Sequence, residues 1–249
     1  MLYSLAILCY YKRWRLEFYV DHIPTSLIAQ PIGNYAAAIS LGARVLEDPK
    51  QQPSDKLTDL IWELAASDPE AILIPEGGAC SASEAGIKAL SQEISHWAEE
   101  RQLEDLKVML PSGTGTSAYY LQKHLPCDVL TCACVGGPDY LRKQMHQLEQ
   151  ADDRLPTILT KLPEEYSAIK KFHFGKTYQD FYDVWAELKS ETGVEFDLLY
   201  DPLGWLYLLG FLNGKTLTAT NETPTIVYLH QGGLKGNESM FARYQRMLE

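Results

Sequence analysis

The chain has 249 residues, of which 33 are acidic and 22 are basic, and its formal net charge is -11. This excess of negative charge, without any long run of lysine or arginine, argues against a nucleic-acid partner and favours a small-molecule ligand. The length is sufficient for one large domain or two small ones, each with its own core.

Five cysteines occur at positions 9, 80, 127, 132 and 134, and none of them forms a CxxC pair. This pattern is typical of reduced, mostly buried thiols, so we expect a cytoplasmic protein. Cys132 and Cys134 lie one residue apart without a second pair of ligands, and no metal site is predicted.

The first residues, MLYSLAILCYY, are apolar on nearly every face. The run is far shorter than the roughly 20 residues of a membrane span, and its basic residues follow it, whereas those of a secretory signal come first. We therefore expect no membrane partner. The run predicts a buried helix over 2–11 that starts without an N-cap residue, as though the chain began part-way through a domain.

Strands and helices are predicted to alternate along the rest of the chain. The predicted strands include RLEFYV, AILI, LKVML, DVLTCACV, FDLLYDP and PTIVYLHQGG. The predicted helices are NYAAAISLG, SDKLTDLIWELAAS, ASEAGIKALSQEISHWAEER, residues 117–124, TYQDFYDVWAELKSET and WLYLLGFL. Continuous apolar strands that alternate with helices predict an α/β fold with parallel sheets and helices on both faces.

The stretch MLPSGTGTSAYYLQKHL joins the LKVML strand directly to a helix. It lacks the Gly-Lys-Ser/Thr of a nucleotide-binding P-loop and the three-glycine spacing of a dinucleotide-binding turn. What remains is a Gly/Thr turn at a helix N-terminus, where free N–H groups and the helix dipole favour a phosphate. An ordinary strand-to-helix turn capped by Ser112 or Thr114 explains the pattern equally well.

Four further segments accompany this loop in a fixed order: QPIGNYAAAISLGARVLE, LIPEGGACSASEAGIKALSQEI, LLYDPLGWLYLL and IVYLHQGGLKGNESM. Over nearly its whole length the chain resembles the 1-aminocyclopropane-1-carboxylate deaminase and D-cysteine desulfhydrase family of fold-type II pyridoxal-phosphate enzymes. The resemblance implies a two-domain, tryptophan synthase beta-like fold. Residues 1–73 would form a partial small domain, and residues 74–249 a large cofactor-binding domain.

The resemblance assigns the Gly/Thr loop to the cofactor. Gly113, Thr114, Gly115 and Thr116 stand where the family cradles the phosphate of pyridoxal 5'-phosphate. Tyr119 replaces a small glycine of the family and is expected to crowd the loop.

Three further site residues are implied by the resemblance. Tyr200 in LLYDP corresponds to the tyrosine beside the pyridine ring, and Tyr228 in IVYLH to the tyrosine that handles the substrate near its reacting carbon. Gln231 is expected to hydrogen-bond the pyridine nitrogen, less firmly than a carboxylate would. For each tyrosine the alternative is a core aromatic with a hydrogen-bonded hydroxyl. His230 is predicted to be a packed or turn-stabilising residue.

The family holds its cofactor as a Schiff base on a lysine in a Ser-Gly-Asn-Lys segment. By the resemblance this segment, and a Ser-Asn turn with a catalytic serine, would precede residue 1, so we expect an N-terminally truncated chain. Ile32-Gly33-Asn34-Tyr35 looks like that segment. However, Gly33-Asn34 matches another family position, at the start of the helix after the first long loop.

The resemblance implies a pyridoxal-phosphate-dependent lyase or deaminase that converts a small amino acid into a 2-keto acid and ammonia. The substrate would be of the 1-aminocyclopropane-1-carboxylate or D-cysteine type, and the assembly a homodimer. Without the lysine, we expect little or no activity. The alternative is a non-catalytic remnant that binds a phosphate or pairs with itself, and a weaker third is a sugar-phosphate or nucleotide binder.

Overall fold

The computed structural model describes residues 1–47, 54–148, 154–166, 172–214 and 224–248. The chain divides into two compact units. Unit 1 comprises Met1–Ile74 and Lys235–Ala242, and unit 2 comprises Pro75–Leu234 and Arg243–Glu249. The first boundary lies one residue after the one drawn from the sequence, but Lys235–Ala242 groups with unit 1, not with the large domain.

The elements of unit 1 surround a short parallel sheet. They are α1 (Leu2–Lys12), β1 (Glu17–Val20), α2 (Thr25–Ala29), α3 (Gly33–Ser40), β2 (Arg44–Glu47) and α4 (Ser54–Ser67). In the sheet Glu17 lies opposite Arg44. Ala6, Ala38 and Ala43 form the buried cluster, and such small side chains let backbones approach closely.

The start of α3 explains why residues near 235 belong to unit 1. The Gly33 N–H donates to Glu238 Oε2 at 3.3 Å. A Cβ built on Gly33, whose φ is +62°, would lie 3.1 Å from the Lys235 carbonyl oxygen. Glycine is therefore required here both by the left-handed backbone and by the close approach of a segment some 200 residues away in sequence.

Unit 2 is built on a four-stranded parallel sheet in the order β5-β4-β3-β6. Its elements are α5 (Glu84–Glu100), β3 (Leu106–Ser112), α6 (Thr116–His124), β4 (Asp128–Ala133), α7 (Pro138–His146), β5 (Thr157–Ile158), α8 (Gln179–Thr192), α9 (Asp201–Gly214) and β6 (Thr225–Tyr228). Helix α10 (Asn237–Leu248) follows. No helix of the described residues is long and apolar enough to cross a lipid bilayer.

Helices cover both faces of this sheet. Val108 and Leu110 of β3 belong to a core cluster with residues of α5, α6 and α7. Met109, between them, belongs to a second cluster with residues of α8 and α9. A strand buried on both faces is apolar along its buried part, which is why Val108, Met109 and Leu110 follow one another without the polar alternation of a half-exposed strand. The predicted α/β fold with parallel sheets is confirmed.

The strand order predicts where a ligand would bind. The chain runs outward from β3 to β4 and β5, and then returns to the other side of β3 as β6. The order therefore reverses between β3 and β6. In open α/β sheets, ligands bind outside the carboxyl ends of the strands at such a switch point.

Two segments predicted as strands from their apolar residues are not strands. Residues 71–74 form none in the described structure, and Ile72 and Ile74 are 69% and 42% exposed. Residues 196–200 bend, because Asp197 Oδ1 accepts the N–H groups of Leu199 at 2.7 Å and Tyr200 at 2.8 Å. A side chain that binds nearby N–H groups competes in this way with a strand ladder.

Candidate functional site

The Gly/Thr loop links β3 to α6 in one tight turn. The Ser112 carbonyl accepts the Cys134 N–H at 2.9 Å, and Ser112 Oγ lies 2.7 Å from Thr131 Oγ1, so β4 fixes the start of the loop. Gly115 has a φ of +80°, and a Cβ there would lie 2.6 Å from Met145 Cε. Only glycine fits this position. Helix α6 begins at Thr116, as the sequence predicts within one residue.

The loop presents backbone N–H groups that lack acceptors. Within the described parts of the chain, no hydrogen bond engages the N–H of Gly113, Thr114 or Gly115. The Thr114 and Thr116 hydroxyls lie 3.0 Å apart at the same turn. Successive N–H groups before a helix N-terminus form a cradle that suits an anion, above all a phosphate.

A second glycine turn packs against this cradle. Gly77 and Gly78 both have positive φ, and a Cβ on Gly77 would lie 2.2 Å from Thr114 Oγ1. The "IPEGG" turn therefore needs glycine so that Thr114 can lie against it. The two segments that carry much of the family resemblance are in contact.

Tyr200 lies directly beside the loop. A Cβ built on Gly113 would be 3.5 Å from Tyr200 Oη, and the Tyr200 ring packs on Phe174 with centroids 5.0 Å apart. Burial raises the pKa of Tyr200 to about 12, with smaller contributions from Cys134, Asp197 and Glu76. The hydroxyl is therefore neutral near pH 7 and can donate a hydrogen bond at the cradle.

Tyr228 ends β6 and binds a buried carboxyl group. Its hydroxyl donates to Asp201 Oδ1 at 2.9 Å, and its ring stacks on Trp205 at 4.5 Å. A Cβ on Gly204 would lie 2.7 Å from Tyr228 Oη, so glycine in α9 makes room for the hydroxyl. Burial first, and then the nearby Asp201, raise the pKa of Tyr228 well above its usual value.

Gln231 and His230 follow β6 at the same edge. Gln231 Nε2 donates to the Pro111 carbonyl at 2.8 Å, which ties it to the end of β3 and leaves Oε1 as the atom available to a ligand. His230 Nδ1 accepts the Gly232 N–H at 3.0 Å, so Nε2 carries the proton and donates to the Glu195 carbonyl at 2.7 Å. The prediction that His230 stabilises a turn is confirmed.

Two carboxyl groups at this edge were missed from the sequence. Asp197 and Asp201 are both buried, at 6% and 0% exposure. Asp201 Oδ2 accepts the Asp197 N–H at 3.1 Å. The Asp-Pro pair at the start of a helix was the available sequence signal, since an acidic residue often begins a helix next to proline.

The structure thus brings the predicted residues to one edge of the sheet of unit 2. Gly113 lies beside Tyr200, and Gln231 binds the end of β3. Tyr228 Oη and Pro111 both lie close to Gly204. Tyr119 is different: it is 1% exposed and belongs to the core cluster on the α5–α7 face. The nearest side chains to Gly113 and Gly115 are those of Tyr200 and of Met145 and Leu141, not that of Tyr119.

Comparison with known proteins establishes the fold. No model of a known protein family and no curated protein matches the sequence. A solved ACC deaminase homologue is 17% identical with a TM-score of 0.65, over 94% of this chain and 70% of that one. This chain has the fold of the fold-type II pyridoxal-phosphate enzymes.

Two further solved structures agree. A hydrogen sulfide-producing enzyme, solved with an alpha-aminoacrylate intermediate, is 12% identical with a TM-score of 0.57, over 94% of this chain and 68% of that one. An O-acetyl serine sulfhydrylase isoform 3 from Entamoeba histolytica is 12% identical with a TM-score of 0.55, over 91% and 64%. The resemblance drawn from the sequence is confirmed for the fold, and the roles of the site residues stay predictions.

Proposed function

We propose that this chain binds pyridoxal 5'-phosphate at the switch point between β3 and β6, as a deaminase- or lyase-like protein. Its substrate would be a small amino acid of the 1-aminocyclopropane-1-carboxylate or D-cysteine type, and the products a 2-keto acid and ammonia. The observation that carries the proposal is the run of three N–H groups at Gly113, Thr114 and Gly115, which have no acceptor among the described residues, with the Tyr200 hydroxyl beside it.

The residues at this edge fit the cofactor. The three N–H groups and the hydroxyls of Thr114 and Thr116 would hold the phosphate, because charge-assisted hydrogen bonds to backbone donors are strong. Gln231 Oε1 would face the pyridine nitrogen. When bound, the cofactor supplies a ring that withdraws electrons from the substrate carbon.

The resemblance assigns the Schiff-base amine to none of the lysines in this sequence, so we propose that this chain holds the cofactor non-covalently and has little turnover. Among the described lysines, Lys176 lines a small cavity together with Phe174, Leu199 and Cys134. Since Phe174 packs on Tyr200, Lys176 is the residue to examine first for a covalent adduct.

A titration tests the phosphate cradle. Pyridoxal phosphate added to the purified chain should bind saturably, as followed by its absorption spectrum. Pyridoxal without phosphate should bind about 10²-fold more weakly, because hydrogen bonds to a charged group contribute about 1.5–3 kcal/mol each. Equal affinity for pyridoxal phosphate and pyridoxal would contradict the proposal. Tighter binding of a sugar phosphate or a nucleotide would favour the alternative of a sugar-phosphate or nucleotide binder.

Two glycine variants form a matched pair for this titration. In Gly113→Ala the new Cβ makes only an ordinary contact, 3.5 Å from Tyr200 Oη, so the fold should survive while the methyl group occupies the cradle. In Gly86→Ala the Cβ meets nothing within 4 Å. We expect binding to be lost in the first variant and unchanged in the second.

Borohydride reduction followed by peptide mass mapping separates covalent from non-covalent binding. Reversible binding with no specific adduct supports the proposal. In that case this chain by itself is a non-catalytic protein that binds the cofactor through its phosphate. An adduct at a single lysine would contradict non-covalent binding, because that lysine would then supply the Schiff-base amine. Cytoplasmic location and homodimeric assembly stay predictions.

A further inference from the structure

Asp197 and Asp201 form a buried carboxyl pair without a balancing cation. Within the described ranges neither side chain forms an ion pair with lysine, arginine or histidine. The Asp201 side chain accepts the Asp197 N–H at 3.1 Å, so the two buried residues are neighbours. Two neighbouring carboxylates out of water cannot both be ionised near neutral pH without a large electrostatic cost. The pair is therefore expected to hold one proton.

The hydrogen bonds indicate which residue holds it. Asp197 Oδ1 accepts two backbone N–H groups, from Leu199 and Tyr200, and such donors stabilise the ionised form. From the described residues Asp201 accepts one N–H, that of Asp197, and the Tyr228 hydroxyl. Burial first, then the charge of Asp197 and a hydrogen bond with its side chain, raise the pKa of Asp201 to about 8.

Tyr228 occupies the outer end of this network. Its hydroxyl proton points to Asp201 Oδ1, so a further proton could reach Tyr228 only at a lone pair of Oη. Because burial and Asp201 hold its pKa well above the usual value, Tyr228 cannot act as a preformed phenolate base at neutral pH. It can accept a proton only if it gives up its own at the same time.

We infer that the Asp197–Asp201 pair is the proton acceptor behind Tyr228. When a substrate proton reaches Tyr228 Oη, the tyrosine passes its hydroxyl proton to Asp201 Oδ1, and Asp201 passes the proton it held to Asp197. The electron pair of the broken bond stays on the substrate carbon, and the Asp197–Asp201 pair gains one proton. This role rests on the proposed function, whereas the shared proton itself does not.

Infrared difference spectroscopy tests the pair without any cofactor. At pH 7 the protein should show the carbonyl band of one buried protonated carboxylic acid, shifted in heavy water. The band should disappear in Asp201→Asn and persist in Asp139→Asn, whose side chain is 99% exposed. No such band in the parent protein would overturn the inference, even if pyridoxal phosphate binds.

The pH at which the band disappears is a second readout. The titratable groups that act on Asp201 are Asp197 and Tyr228, and Tyr228 is in turn influenced by Cys132 and Cys134. A hydrogen bond with Cys132, and then burial, raise the pKa of the Cys134 thiol. Because the pKa values of Tyr228 and Cys134 are raised, loss of the band around pH 8 would report Asp201.

Exchange of the α-hydrogen of D-cysteine into heavy water, with added pyridoxal phosphate, tests the relay. The rate above the protein-free background should fall about 10²-fold in Asp201→Asn and in Tyr228→Phe, with unchanged affinity for the cofactor. An unchanged rate in Asp201→Asn, or no exchange above background, would overturn the relay. Failure of cofactor binding while the infrared band is present would instead overturn the proposed function.

Discussion

Replacing Asp201 with asparagine should change how stability depends on pH. In the fold the pKa of Asp201 is raised from 3.8 to about 8, by burial and by Asp197. Between these two values the folded protein keeps the proton, whereas the unfolded chain has lost it. Unfolding therefore releases a proton, and this group's contribution to the free energy of unfolding is lost as pH rises through the window.

The slope inside that window is about 1.4 kcal/mol per pH unit for one proton, so a rise from about pH 5 to about pH 7 costs about 3 kcal/mol. Asparagine is neutral in both states and adds no slope. Its Oδ1 still accepts the Tyr228 hydroxyl, but its amide nitrogen would face the Asp197 N–H. That mismatch costs about 1–3 kcal/mol at every pH.

Urea unfolding at a series of pH values, followed by near-ultraviolet circular dichroism, measures the free energy of unfolding of the parent and of Asp201→Asn as a function of pH. The variant should be less stable than the parent at about pH 4. Because only the parent loses about 1.4 kcal/mol per pH unit, the two stability curves should cross between about pH 4.5 and about pH 6, and the parent should be the less stable protein at about pH 7. Asp139→Asn serves as the exposed control and should run parallel to the parent. Parallel curves for Asp201→Asn as well would refute the raised pKa.

Three further substitutions probe the loop and its neighbours. Gly115→Ala should destabilise unit 2 by about 2–5 kcal/mol, measured by urea unfolding, because it combines left-handed strain with a Cβ 2.6 Å from Met145 Cε. Gly204→Ala should cost about 1–3 kcal/mol and abolish the Tyr228–Asp201 hydrogen bond, visible as a shift of the infrared acid band, since its Cβ would lie 2.7 Å from Tyr228 Oη. Tyr200→Phe should leave the fold intact and weaken pyridoxal-phosphate binding about tenfold in a titration, and unchanged binding would show that the hydroxyl does not reach the ligand.

The elements that the sequence predicts well are those whose signals are local. The helix SDKLTDLIWELAAS, and β3 with the helix after it, appear where the sequence pattern places them. The N-terminal helix also forms, over Leu2–Lys12, but the prediction that it is buried is wrong, because of its residues only Ala6 is buried and Tyr11 is 79% exposed. The turn at the loop glycines could also be predicted, because a strand that runs directly into a helix requires a tight turn between them. Local signals therefore predict the loop at the helix N-terminus, whereas the roles of the loop and of Gln231 come from the family resemblance and stay predictions.

The features that were missed depend on contacts distant in sequence. The FDLLYDP segment is apolar, yet the Asp197 side chain captures two N–H groups and bends it. The AILI segment is apolar and exposed, so composition alone misassigned it. Helices α7 and α10 are absent from the helices predicted from the sequence, although Pro138 at the first helical position of α7 was a usable signal.

The Asp197–Asp201 pair could not be predicted either, because its contacts are also distant in sequence. Nothing local to Asp197 or Asp201 indicates that Tyr228, 27 residues later, donates to the second of them. Only the parallel placement of β6 beside β3 brings the tyrosine across α9. Proton storage at this edge could not be predicted before the strand order was known.

The most direct test of the account is amide-resolved NMR of the ¹⁵N-labelled chain with pyridoxal phosphate. The account predicts large shifts for the amides of Gly113, Thr114 and Gly115, which lack acceptors in the described structure. These shifts should be absent with pyridoxal and absent in Gly113→Ala. Unmoved amides at these three residues, with binding reported elsewhere on the chain, would contradict the central claim that this loop holds the cofactor phosphate.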